Sequence, residues 1–201
     1  MIRSTIAFAL MMSLIAGSAH AGEYNKKLSI GDAGPSFKNL PAADGKTYSM
    51  ADFADKDVIV MAVTCNHCPV AVGYEDRMIE FAKKYVTTPD SKVALIAVSV
   101  SNSEVDRIPK MQERAKEKGF NYIYVHDESQ TLGRDLGASV TPEFVVLNKD
   151  RKVVYLGAMD DNMKAPTVSY VGNAVDAALK GAEPEVKETR ARGCGIGYKK
   201  N

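Results

Sequence analysis

The run Val58-Ile59-Val60-Met61-Ala62-Val63, followed at once by Thr64-Cys65-Asn66-His67-Cys68-Pro69, constrains this chain more than any other stretch. Consecutive apolar residues rich in β-branched side chains suit a strand covered on both faces, which is the position of a central strand in a parallel sheet. Beyond Pro69, apolar residues recur at Val72, Met78, Ile79, Ala82 and Tyr85, roughly the spacing of one amphipathic helix opened by the proline. The two thiols are therefore expected on the first turn of that helix, close enough to form a disulfide. A ring that small braces almost no chain entropy, so the Cys65/Cys68 pair implies redox chemistry rather than a structural staple.

The flanking segments extend the pattern. Val93 to Val100 is a second continuous apolar run, a parallel neighbour reached through the Cys helix. Ser101 to Ser103 precede a helix over about 105–118 that Gly119 ends, with Pro109 tolerable in its first turn. Tyr122 to Val125 reads as a strand, and 130–136 as a short helix stopped by Gly137. The runs 143–147 and 152–156, joined by Asn148 to Arg151, read as an antiparallel hairpin, and 169–179 as a last helix. Ahead of the central strand, a strand near 37–40, the turn Ala43-Asp44-Gly45-Lys46 and Tyr48 form a small hairpin, followed by a helical turn over 50–53. Residues 182–201 are charged and contain Pro and Gly, and are expected to form an irregular, flexible tail carrying Cys194.

The N-terminus reads separately. Arg3, the apolar run 6–16 and the ending Ala19-His20-Ala21 have the pattern of a secretory signal peptide over 1–21, with Gly22 the expected mature start and a periplasmic or secreted destination. Basic and acidic residues number 26 and 25, so no electrostatic case for nucleic acid arises. With only three cysteines, one of them left over from the pair, the chain has no disulfide framework despite its expected export.

A Cys-x-x-Cys at a strand-to-helix junction, with Val140-Thr141-Pro142 placed before an apolar hairpin and a final helix, resembles the thioredoxin fold. The resemblance implies an α/β architecture, a central mixed β-sheet flanked by helices, with an N-terminal β-hairpin extension here and an irregular tail. It also implies a cis Pro142 packed against the redox sulfurs and a Thr141 backbone that pairs with bound substrate. The lead-in Gly31-Asp32-Ala33-Gly34-Pro35-Ser36-Phe37, the stretch Asp127-Glu128-Ser129-Gln130, Asp160-Asp161-Asn162 and Gly193-Cys194-Gly195-Ile196 narrow it. These are similar to the redoxin group, the alkyl hydroperoxide reductase/thiol-specific antioxidant class, in a peroxiredoxin-like branch with Cys-x-x-Cys. Residues 22–181 would form the redoxin domain. The Thr and Pro that activate a peroxidatic cysteine, three and seven residues ahead of it, are absent: those positions are Ala62 and Val58 before Cys65, and Cys65 and Met61 before Cys68. The chain also has no Trp, and Ile59 stands where thioredoxins bury an acid.

These features imply an exported thiol-disulfide oxidoreductase. Cys65 is the expected nucleophile, its thiolate stabilised by the helix N-terminus and its pKa lowered from about 8.5. Cys68 resolves the mixed disulfide. His67, when protonated, favours the thiolate further, and each 1.4 kcal/mol of such stabilisation makes the disulfide about 30 mV more oxidising. Cys194 is a candidate third redox thiol. No cofactor or metal is required, and the expected partners are a protein or small-molecule thiol or disulfide and a thiol redox partner. Two alternatives stand beside this one: a thiol peroxidase, and a copper carrier binding through Cys65, Cys68 and His126.

Overall fold

The computed structural model describes residues 22–200, so the expected signal peptide lies outside the described residues. Its centre is a five-stranded mixed sheet built around β3 (Val58–Thr64). β3 pairs in parallel with β4 (Val93–Ser99), which pairs in parallel with β5 (Ile123–His126). On the other side β3 pairs antiparallel with β7 (Glu143–Leu147), and β7 with β8 (Val153–Gly157). Every residue of β3 and β4 is buried, as the unbroken apolar runs require.

Alternation along β3 divides the core in two. Val58, Val60 and Ala62 face Met78, Phe81 and Ala82 of α2 (Glu75–Tyr85), Met111 of α3 (Ile108–Lys118), and Val171, Ala174 and Val175 of α5 (Tyr170–Leu179). Ile59, Met61 and Val63 face the opposite layer, which holds Leu28, Phe37 and Phe53 from the lead-in and Leu132 and Leu136 near α4 (Thr131–Asp135). The thioredoxin-like arrangement that the resemblance implies is therefore present, a mixed sheet covered by helices.

Several local expectations are refined. The N-terminal hairpin forms from β1 (Leu40–Pro41) and β2 (Thr47–Tyr48), turning at Gly45 with φ 83°, but its first strand begins later than Phe37 because Asn39 adopts φ 52°. The helix after Pro69 is not continuous: α1 (Pro69–Val72) stops at Gly73 and α2 restarts after Tyr74. The helix expected from residue 105 begins instead at Ile108 with Pro109 in its first turn, and Glu104–Asp106 form a separate 3-10 turn.

The tail departs most from expectation. It is docked rather than flexible: β9 (Cys194–Gly195) pairs with β6 (Val140–Thr141), the Thr189 N–H donates to the Leu156 carbonyl, and the Leu156 N–H donates to the Lys187 carbonyl. The Glu188 carboxylate accepts from the backbone N–H groups of Glu23, Tyr24 and Asn25 at 2.7–3.0 Å, which ties the tail to the beginning of the described chain. Charged composition suggested a solvated segment, yet these residues find main-chain partners.

Between α2 and α3, the buried Glu75 carboxylate receives a two-pronged bond from Arg114, at 3.0 Å from Nε and 2.7 Å from the terminal nitrogen. Removing the guanidinium strands a desolvated anion. Arg114→Met is expected to destabilise the fold by about 2–3 kcal/mol, near the low end for a broken buried pair because Arg114 is partly exposed. The check is the urea midpoint, and a shift too small to resolve refutes the assignment.

Candidate redox site

β3 ends at Thr64, and the chain leaves the sheet with Cys65, so this thiol sits at the carboxyl edge of the central strand. Cys68 caps α1, its sulfur 3.5 Å from the Ala71 N–H. This corrects the expectation that both thiols lie within the helix's first turn: Cys68 is the N-cap and Cys65 stands three residues ahead, outside the helix. α1, with a single turn, also offers less helix dipole than the continuous helix would have.

Three segments converge here because the sheet order brings their ends together. The Thr141-Pro142 peptide, cis as the resemblance implies, directly precedes β7, which lies beside β3. The Thr141 hydroxyl is 3.5 Å from Cys65 Sγ, and its carbonyl oxygen is 3.2 Å from Cys68 Sγ. From the other side, β4 leads through Ser101 to Ser103 into the 3-10 turn that carries Asp106. The fully buried Asp106 carboxylate accepts from the Asn66 N–H at 2.6 Å and lies 2.5 Å from His67 Nδ1. Asn66 is fixed further, donating to the Val105 carbonyl at 2.7 Å and accepting from the buried Tyr124 hydroxyl at 3.0 Å.

The sulfur pairing differs from the one expected. Cys68 is disulfide-bonded to Cys194, 126 residues away with a Cα–Cα distance of 6.0 Å, while Cys65 is a free, buried thiol packed in the same cluster. β9 makes this possible by holding Cys194 opposite Thr141 in register. Cys65, Cys68, His67, Thr141, Pro142 and Cys194 therefore all lie at one place.

The electrostatics of Cys65 also reverse the expectation. Burial pushes the thiol above its ordinary pKa, and the Asp106 carboxylate adds to the rise; bonds from the Thr141 hydroxyl and the backbone N–H groups of Cys68 and His67 offset part of it. A helix-stabilised thiolate would require open N–H groups and a positive neighbour. Here the His67 ring is paired with Asp106, a residue that sequence reasoning missed. An acid in the first turn after a Ser cap looks like ordinary helix-start chemistry, so nothing local marked it.

His126 does not join the site as a ligand: it is buried at the end of β5 with Nε2 3.0 Å from the Ser101 carbonyl oxygen. The copper set Cys65, Cys68 and His126 is thus not assembled, since Cys68 is oxidised. Among the described residues, the donor atoms that do cluster are those of Cys65, His67 and Asp106, all within 4.8 Å of one another.

In protein whose Cys68–Cys194 bond is kept oxidised, alkylation of Cys65 by iodoacetamide is expected to climb through the alkaline range, with an apparent pKa above that of free cysteine. Asp106→Asn keeps the shape and removes the negative charge, so the apparent pKa falls and the rate at pH 7 rises severalfold. Identical pH profiles for the two proteins would remove Asp106 from the account.

Known proteins share the family and the fold. Residues 29–175 match the Redoxin family. A hypothetical protein from Sinorhizobium meliloti 1021 is 27% identical at a TM-score of 0.78, covering 86% of this chain and 96% of its own. An uncharacterized conserved protein from Geobacillus kaustophilus gives 27%, 0.78, 86% and 94% on the same measures. A putative thioredoxin from Neisseria meningitidis shares the fold at 23% identity and a TM-score of 0.58, with 76% and 92% covered. No curated protein matches the chain. With its fold, its clustered cysteines and the match along most of its length, the chain belongs to the Redoxin family and is an oxidoreductase of thiol redox chemistry.

Proposed function

We propose that this protein is an exported thiol-disulfide oxidoreductase in which Cys65, Cys68 and Cys194 pass one disulfide among them. The observation that carries the reading is the Cys68–Cys194 bond beside a free Cys65 thiol in one buried cluster. In the reducing direction all three cysteines start as thiols. The Cys65 thiolate attacks one sulfur of a substrate disulfide, and the other substrate sulfur leaves as a thiolate. Cys68 then attacks Cys65 Sγ, releasing the second substrate thiol and leaving a Cys65–Cys68 disulfide. Attack by Cys194 on Cys68 Sγ expels Cys65 as a thiol and gives the observed pairing. Two electrons have moved to the substrate, and one disulfide has formed in the enzyme. Oxidation of a substrate dithiol runs the same steps backwards.

Burial holds Cys65 above its ordinary pKa, so its attack and its departure each need a proton taken from or given to the sulfur. The Thr141 hydroxyl, the carbonyl beside Cys68 Sγ and cis Pro142 form the wall against which these exchanges occur. His67, paired with Asp106 and half exposed, is placed to carry a proton between solvent and the buried thiol.

A peroxidase reading is not favoured. The positions three and seven residues ahead of Cys65 are Ala62 and Val58, both buried in β3, so neither offers a donor to a bound peroxide. Export rests on the sequence of residues 1–21, and among the described residues no helix is long and apolar enough to cross a membrane.

Cys65→Ser is expected to lower reduction of an insulin-type disulfide by at least about a hundredfold, the scale at which a lost covalent nucleophile is read. Cys68→Ser should accumulate a mixed disulfide through Cys65, detected as the added mass of the substrate. Undiminished turnover by Cys65→Ser would overturn the reading.

A further inference from the structure

The C-terminal segment does more than deliver Cys194. β9 takes the backbone edge of β6, with Val140 opposite Gly195 and Thr141 opposite Cys194, and the Ile196 N–H donates to the Ser139 carbonyl at 3.0 Å. Gly193 is pressed so closely that a Cβ there would fall on the Thr141 carbonyl oxygen, whereas a Cβ at Gly195 would meet nothing within 4 Å. Beyond the contact, Gln130 accepts from the Lys199 N–H at 2.8 Å and donates to the Gly197 carbonyl at 3.1 Å, and Tyr198 donates to the Ala138 carbonyl at 2.9 Å. These bonds seat an extended strand.

Open space lies on both sides of that strand. A cavity of about 280 Å³, bordered by Cys65, His67, Thr141 and Cys194, adjoins one flank. A larger groove of about 620 Å³, bordered by Tyr74, Pro142, Met159 and Gly193, adjoins the other. Thr141 and Cys194 border the first, and their chain neighbours Pro142 and Gly193 border the second, so the segment stands where the two spaces would otherwise meet. Removing it would leave one trough crossing the redox sulfurs.

Resting on the exchange reading above, we propose that residues 193–197 are a built-in occupant of the backbone edge that the resemblance assigns to substrate, and that the Cys68–Cys194 bond latches them there until it is opened. The Glu143 carboxylate holds the Ser139 and Val140 N–H groups, so the edge offers an incoming backbone the Ser139 carbonyl and the main chain of Thr141. The fit of Gly193 adds selectivity for a glycine immediately before the partner's cysteine. The latch opens by reduction: the thiolate of a reducing dithiol attacks Cys194 Sγ, Cys68 leaves as a thiolate, and the second thiol of the reductant displaces Cys194. The reductant becomes a disulfide and both protein cysteines become thiols. Alternatively, a partner's cysteine thiolate attacks Cys68 Sγ, Cys194 leaves as a thiolate, and the partner strand replaces β9.

The test is amide hydrogen exchange of the full chain followed by mass spectrometry. In the oxidised protein, the amides of Thr141 and of 194–197 should be protected; a dithiol, or Cys194→Ser, should speed their exchange by about tenfold or more while the central sheet is unchanged. A synthetic peptide copying residues 190–198, with serine for its cysteine, should restore protection at Thr141 in the reduced protein. The same peptide with valine in place of the glycine before that serine should not. Gly193→Val in the chain should open the seat even under oxidising conditions. Protection that is indifferent to reduction, an oxidised Gly193→Val protein as protected as the parent, or restoration by the valine peptide as good as by the glycine one would each overturn the proposal. None of these readouts needs turnover, so loss or retention of exchange in Cys65→Ser judges the enzymatic reading separately.

Discussion

β3 is held between a parallel neighbour on one side and an antiparallel neighbour on the other, and everything at the redox site follows from that placement. A strand paired on both edges and covered on both faces has no freedom to slip, because a one-residue shift would exchange the two apolar faces of the core. Its end therefore delivers Cys65 to a fixed point. The parallel partner ends at the same level and hands the chain to the turn carrying Asp106. The antiparallel partner begins there, preceded by Thr141 and Pro142. Mixed topology is what brings a strand end, a loop and a cis proline to one edge of the sheet.

Burial at that edge sets the chemistry of the sulfurs. A thiol exposed at the start of a long helix would be held as a thiolate, whereas Cys65 lies in an apolar cluster with a carboxylate nearby and holds its proton. Asp106 is kept in the interior by its bonds to the Asn66 N–H and the His67 ring. The loop between the two cysteines is therefore anchored from β4's side, and the charge that His67 would lend to the sulfurs is matched before it reaches them. What remains poised for exchange is the bond between Cys68 and Cys194, beside a thiol that can enter it once it gives up its proton.

The C-terminal segment completes the site in a way its composition conceals. Gly193 allows the backbone to approach Thr141, Glu188 and Thr189 bind the segment to the main body, and Gln130 and Tyr198 hold its far end. Charged and glycine-rich residues are normally solvated, but here the glycines supply close approach and the polar groups find buried or half-buried partners. A closed edge at β6 and a spanned trough result.

Much of this was legible in the sequence. The runs 58–63 and 93–100 could only be buried strands, the hairpin between 143 and 156 followed from its turn, and the cis Thr141-Pro142 peptide was implied by the resemblance. These are local properties, set by side-chain pattern and by the thiol and imide groups themselves. Three things were decided by tertiary structure alone. Cys68 bonds to Cys194 across 126 residues because strand pairing, not sequence proximity, places them together. Asp106 meets His67 because β3 and β4 end side by side. The sign of the shift at Cys65 depends on how much water and which charges surround it, and spacing carries no record of burial.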